Sequence, residues 1–199
     1  GAVASSPSGI DCGAVCSAQF IQTTVITLTA TAASNSSLTG WSGCDSTPAA
    51  NQCVVTMNAA RFVEASFALK TYVVTPSAGA NGTMTPNTPQ TVTHTATTSI
   101  TVTPATGYRI DSVTGCGGTL SGSTYTTGPI TADCTVSATF AINTYTISAS
   151  VSGGHGTVTV VTPTVPHGGT ATINISPDTG YHIAGITDNG ISVRIINPY

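Results

Sequence analysis

Two stretches of the sequence, RFVEASFALKTYVV at 61–74 and CTVSATFAINTYTI at 134–147, repeat one pattern. Phe67 matches Phe140 and Tyr72 matches Tyr145, and both pairs lie 73 residues apart (140 − 67 = 73; 145 − 72 = 73). A fixed period of this size is the signature of tandem structural units. Each stretch holds the end of one unit and the start of the next, so the chain is organised around these two joins.

The same period relates TPATGYRIDSVTG at 103–115 to SPDTGYHIAGITD at 176–188. A more diverged copy precedes them, in which the GC at 43–44 aligns with the GC at 115–116. The predicted domains are a first unit over 1–69, a second over 70–142 and a third over 143–199. The joins contain no Pro/Gly/Ser-rich linker, so we predict stiff end-to-end stacking of the units.

The apolar residues inside a unit recur with a period of two. Val136, Ala138 and Phe140 alternate with hydroxyl residues, which is typical of strands with one buried face. Threonine supplies roughly a fifth of the chain, and its β-branched side chain favours strands. Turn signals such as GANG, PATG and GCGG separate the alternating segments. We therefore predict an all-β fold with about five strands per unit and almost no helix, apart from one turn in GPITAD at 128–133.

Charge is scarce: 6% of the residues are charged, and lysine and arginine together number four. The net charge of −3 produces no field that would attract nucleic acid or anionic lipid. No apolar run approaches the ~18 residues of a membrane span. We expect neither a nucleic-acid partner nor membrane insertion in this segment.

The six cysteines fall into local pairs, and they are Cys12, Cys16, Cys44, Cys53, Cys116 and Cys134. Their spacing does not match a four-ligand zinc site, and no histidine lies close to them in sequence. We predict that neighbours in sequence form disulfides, which would staple units too small for a large core. Disulfides persist in oxidising compartments, so the expected location is extracellular or at the cell surface.

Several of these segments resemble the divergent internalin-type B-repeat, also known as the bacterial repeat domain of secreted and surface proteins. The matching segments include GTMTP, TPATGYRIDSVTG and ITADCTVSATF in the second unit and TLTATA and GWSGC in the first. The resemblance extends over the chain in three copies. It implies small β domains, β-grasp-like or small sandwiches, that serve as spacers, stalks or adhesive modules. It implies no catalytic residues.

Both terminal units differ from the complete pattern. Unit one lacks an opening strand like TYVVTPSAG, and unit three lacks a closing strand like CTVSATF. Two interpretations fit this difference. The chain is a part of a longer array, or neighbouring subunits supply the two strands. A missing strand leaves unpaired backbone edges, which favour the addition of a strand from another chain.

No residue pattern indicates catalysis, a cofactor or a metal site. The sequence contains no HExxH, GxSxG, P-loop or calcium loop. The spacings of the four histidines suggest no relation among them, and we expect exposed or turn positions for His94, His155, His167 and His182.

Aromatic residues are the strongest candidates for ligand contact, because flat rings stack on sugars. We expect Trp41 and the tyrosines of the GY motifs, Tyr108 and Tyr181, to fill the small cores, and Tyr125 to be the exposed exception that contacts a ligand. Asn35, Asn81 and Asn174 head N-glycosylation sequons.

The predicted function is a non-catalytic extracellular structural module of a bacterial stalk, adhesin or filament, with the chain itself as partner. The alternative is a module of a larger secreted protein that binds carbohydrate or another surface polymer, such as a host or surface glycan.

Overall fold

A computed structural model of the chain describes residues 1–193. All of its regular elements are strands, and they follow one another in short segments. The first repeat holds β1 (Ala2–Ser6), β2 (Asp11–Cys12), β3 (Val25–Thr31), β4 (Ser36–Ser42), β5 (Gln52–Thr56) and β6 (Glu64–Leu69). The second holds β7 (Thr71–Ala78), β8 (Gly82–Thr85), β9 (Gln90–Thr93), β10 (Ser99–Pro104), β11 (Tyr108–Thr114), β12 (Thr119–Ser121), β13 (Thr124–Thr126) and β14 (Cys134–Ile142). The third holds β15 (Thr144–Thr146), β16 (Gly156–Val160), β17 (Thr164–Pro166), β18 (Ile173–Pro177), β19 (Ile186–Asp188) and β20 (Ile191–Val193).

The all-β prediction is confirmed, and the three predicted disulfides are present: Cys12–Cys16, Cys44–Cys53 and Cys116–Cys134. The chain forms two compact bodies. The first comprises Gly1–Ala78, Met84–Val102 and Val113–Ala138. The second comprises Gly79–Thr83, Thr103–Ser112 and the described part of Thr139–Tyr199. The predicted unit 143–199 extends past the described residues, since 194–199 lie outside them.

The second repeat has two four-stranded sheets, with the strand orders β12-β13-β10-β8 and β11-β14-β7-β9. Most neighbouring strands run antiparallel, but β7 runs parallel to β14, with Val74 opposite Cys134 and Ala78 opposite Ala138. The apolar residues of β10 and β14 are buried at alternate positions, as the period of two predicts.

The first repeat has a four-stranded sheet, β2-β1-β3-β5, and a two-stranded sheet, β4-β6. Ile26, Leu28, Cys53 and Val55 form its buried core, against which Trp41 and other half-buried residues pack. Burying this apolar surface supplies the main favourable term for a domain of this size. The two layers correspond to the small sandwich, one of the two predicted forms.

Two details of the strand prediction are wrong. The second repeat has eight short strands rather than about five, because turns interrupt the alternating segments more often than the pattern indicates. GPITAD is not helical. Ile130 is 2% exposed, its N–H donates to the Ala96 carbonyl, and its own carbonyl accepts from the Thr95 N–H. These bonds to a distant loop occupy the backbone groups that a helical turn would use.

Candidate functional site: the repeat junctions and an open groove

A single residue, Lys70, separates β6 of the first repeat from β7 of the second. The Lys70 N–H donates to the carbonyl of Asn35 at 2.9 Å, and the Lys70 carbonyl accepts from the N–H of His94 at 2.8 Å. One residue therefore bonds to a turn of the first repeat on one side and to a turn of the second on the other. Both the N–H and the carbonyl of Lys70 are therefore hydrogen-bonded.

The second junction repeats this arrangement at Asn143, the one residue between β14 and β15. The Asn143 N–H donates to the carbonyl of Gly107 at 2.8 Å, and the Asn143 carbonyl accepts from the N–H of His167 at 2.7 Å. A Cβ added to Gly107 would lie 2.2 Å from the His167 ring, so glycine permits this close approach. The junction is a recurring hydrogen-bonded corner.

Each junction also carries a tyrosine–histidine pair. The ring centroids of Tyr72 and His94 are 5.9 Å apart, and those of Tyr145 and His167 are 6.1 Å apart, with interplanar angles of 51° and 50°. His94 and His167 are separated by the repeat period (167 − 94 = 73). The expectation that the histidine spacings are unrelated is therefore wrong, and this spacing is the sequence signal that identifies the junctions.

An open groove of about 620 Å³ lies in the first repeat. Its lining is largely apolar and includes Val3, Phe20, Trp41, Met57, Val63 and Phe67. Strand β6 forms one side of the groove, and within residues 1–193 its only strand partner is β4. The other edge of β6 is therefore an unpaired strand edge beside exposed apolar surface.

The rim of the groove is fixed by Arg61, which donates hydrogen bonds to the carbonyl of Gly43 and to the carboxylate of Asp45. The same carboxylate accepts from the backbone N–H of Thr56 at 2.7 Å. The Thr56 hydrogen bond and then the Arg61 side chain hold the pKa of Asp45 below its ordinary value. The carboxylate therefore stays ionised near neutral pH, and Arg61 is held at the entrance.

Tyr125 is not an exposed ligand contact, so that prediction is wrong. Its side chain is 2% exposed, and its hydroxyl donates to the carbonyl of Gly115 and accepts from the N–H of Gly118. Tyr181 is also placed differently from the prediction, since it is 52% exposed instead of filling a core. It stacks on His155 with a centroid distance of 4.1 Å and an interplanar angle of 4°.

The three sequon asparagines differ in exposure. Asn81 and Asn174 are exposed, whereas Asn35 is half-buried at the first junction, where its carbonyl is already bonded. Glycosylation at these positions stays a prediction. Residues 1–193 contain no group of three His, Cys, Asp or Glu side chains placed to share a metal ion. The same residues include no helix with the length and apolar character of a membrane span.

Comparison with protein families gives one result. The family model described as the divergent InlB B-repeat domain matches the chain three times in succession, over residues 5–71, 72–144 and 145–195. No curated protein and no solved structure matches the chain significantly.

Proposed function

The chain belongs to the divergent InlB B-repeat family of bacterial surface proteins, and we propose from this that it is a non-catalytic structural module of an extracellular stalk, adhesin or filament. In this proposal the repeats set the length and stiffness of a surface structure. Three disulfides support an oxidising location outside the cell. The partner of each repeat is another repeat, assembled head to tail.

The repeated junction carries this proposal. Lys70 and Asn143 each use their N–H toward the preceding repeat and their carbonyl toward the following one. A flexible linker would leave these groups to water and allow neighbouring repeats to reorient freely. A one-residue join with both backbone groups bonded suits a stiff connection between neighbouring repeats, because bending at it breaks hydrogen bonds.

Stiffness at the first junction is testable by measuring the distance between spin labels at Ser37 and Thr101, both exposed residues of the first compact body. We expect a narrow distance distribution in the native chain. Inserting Gly-Ser-Gly-Ser after Lys70 should broaden it, since four flexible residues have a reach of about 10–12 Å. The labels are attached to unnatural amino acids, so the native disulfides stay intact.

The matched control places the same insertion after Gly122, at a turn where an added Cβ meets nothing within 4 Å. That insertion should leave the distribution narrow. A native chain with a distribution as broad as that of the Lys70 insertion variant would contradict a stiff first junction and favour independently moving repeats.

A second candidate function, carbohydrate binding, is favoured by one observation. The half-exposed Tyr181 stacks face to face on His155, which holds its ring in one orientation, and the outer face of such a ring suits the apolar face of a sugar. We expect Tyr181→Ala to reduce the glycan-array signal at least tenfold, because a tenfold loss of affinity corresponds to about 1.4 kcal/mol, the size of one stacking contact. Tyr145→Ala is the control, because Tyr145 is 50% exposed and tilted against its histidine. A native chain without array signal rejects this candidate.

A further inference from the structure

We propose that the groove of the first repeat is a docking site for residues 144–151 of a second copy of this chain, which add a parallel strand to β6. The inference deepens the proposed function and rests on it, because it names the partner for head-to-tail assembly. It is carried by the second repeat, in which the corresponding place is occupied.

The second repeat shows what a complete sheet contains. Its order is β11-β14-β7-β9, so the closing strand β14 has β11 on one edge and the opening strand β7 on the other. In the first repeat, β4 and β6 form only the first half of this order. The third repeat holds the other half, since β15 pairs with β17 as β7 pairs with β9. Joined edge to edge, the two halves give β4-β6-β15-β17.

Two further contacts relate β6 to β14. The ring of Phe67 occupies the space where a Cβ on Gly1 would lie, and the ring of Phe140 does the same at Gly82. Val74 of β7 is fully buried in the second repeat. The first repeat has the open apolar groove along β6, where the strand corresponding to β7 would lie. Docking a strand there removes apolar surface from water.

The sequence of 144–151, TYTISASV, has the chemistry of the required strand. One period from β7, Tyr145 replaces Tyr72 and Ile147 replaces Val74 (147 − 74 = 73). The segment is uncharged, which suits a groove lined mainly by apolar residues. In the second repeat β7 already pairs on both edges, whereas β15 pairs only with β17 among the described residues.

The third repeat also has the exposed interior that docking would help to cover. Ile100 and Val102 of β10 are fully buried, but their counterparts one period later, Ile173 and Ile175 of β18, are 39% and 37% exposed. Tyr145 is 50% exposed. Among residues 1–193 the opening strand of the third repeat is therefore uncovered, and the first repeat has the groove and strand edge that accept such a strand from a second copy. Such head-to-tail pairing is heterologous and propagates into open filaments.

The register of the second repeat fixes the test. Ser137 lies opposite Ser77 there, and one period relates this pair to Glu64 and Ser150. A chain carrying Glu64→Cys is mixed with a separate chain carrying Ser150→Cys and oxidised with the native disulfides left intact. We expect a disulfide-linked heterodimer of twice the 19.8 kDa chain mass on a non-reducing gel.

The matched control replaces Ser150→Cys by Ser152→Cys, which keeps the strand face but shifts the register. Two residues displace the Cα atoms by about 6.6 Å along the strand, in addition to the roughly 4.8 Å between neighbouring strands. The Cα–Cα separation is then about 8 Å, above the roughly 7 Å limit for a disulfide. The in-register pair should therefore give at least tenfold more heterodimer. Excess peptide of sequence TYTISASV should suppress the linkage, and a scrambled peptide should not.

Two results would overturn the proposal. Equal yields from the two registers would show random collision instead of strand pairing. A chain carrying both Glu64→Cys and Ser150→Cys that closes on itself at low concentration would place the donor strand in the same molecule. Either result leaves the narrow spin-label distance across Lys70 untouched, so failure of this inference is distinguishable from failure of the proposed function.

Discussion

Replacing Gly115 by alanine is expected to destabilise the second repeat strongly. Gly115 has a φ of +116°, and a Cβ placed on it would lie 1.9 Å from the carbonyl oxygen of Thr135. The obstacle is backbone in a paired strand, so no side-chain rotation relieves it. We expect the free energy of unfolding to fall by roughly 3 kcal/mol or more, which is the upper end of the range for most single substitutions. Hydrogen exchange of the amides in 99–103 measures this loss, and we expect at least a hundredfold faster exchange.

Gly117 is the matched control in the same turn. Its φ is +61°, but an added Cβ meets nothing within 4 Å. Gly117→Ala should therefore cost only the roughly 1–2 kcal/mol of a left-handed backbone carrying a side chain. Similar exchange rates in the two variants would mean that conformation, and not the Thr135 contact, decides the effect. Gly43 repeats the contact in the first repeat, where its added Cβ would lie 2.2 Å from the Phe62 carbonyl oxygen.

Periodicity in the sequence predicted the large-scale organisation. The 73-residue spacing of Phe67 and Phe140 indicated tandem repeats, and the family model matches three of them. Alternation predicted that Val136 and Ala138 are buried, and they are 0% and 2% exposed. These features were predictable because successive side chains of a strand point to opposite faces, and because equivalent positions of tandem repeats recur at a fixed spacing.

Features that depend on contacts between distant segments were not predictable. The absence of an opening strand in unit one indicated an unpaired edge, but an alternating sequence does not specify that this edge is the one of β6 beside the groove. The junction histidines His94 and His167 follow the repeat period, but their role depends on carbonyls at Lys70 and Asn143 that any residue type supplies. A backbone carbonyl is present whatever the side chain, so the sequence does not show which residues act as hydrogen-bond partners in this way.

The burial of Tyr125 was missed for a related reason. It lies in a three-residue strand flanked by threonines, too short for alternation to identify an inner face. The counterpart in the first repeat, at the 72-residue offset of its GC motif, is Cys53, and the position 73 residues later is Pro198, so neither repeat offers an aromatic counterpart. Its burial is decided instead by the turn 115–118, whose backbone bonds to the tyrosine hydroxyl.

Tyr125→Ala is therefore expected to act on stability and not on ligand binding. The side chain is 2% exposed, and removing a buried aromatic ring costs about 3–5 kcal/mol through lost transfer energy and a residual cavity. Exchange of the amides in 99–103 should accelerate at least a hundredfold, since β10 pairs with β13 through Ile100 and Tyr125. The accompanying measurement is glycan or cell binding by the fraction of chain that remains folded, which should not change.

Tyr125→Phe separates the ring from its hydroxyl. Phenylalanine keeps the buried ring but leaves the Gly115 carbonyl and the Gly118 N–H without their tyrosine partner, at a cost of about 1–3 kcal/mol. Tyr181→Ala is the exposed control and should change stability by less than about 0.5 kcal/mol. A Tyr125→Ala chain with native exchange rates and lost glycan binding would reverse the assignment and make Tyr125 a ligand contact. We expect the free energy of unfolding to fall most for Tyr125→Ala, less for Tyr125→Phe and least for Tyr181→Ala. The first variant loses a buried ring and its hydrogen bonds, the second loses only the hydrogen bonds, and the third loses an exposed ring.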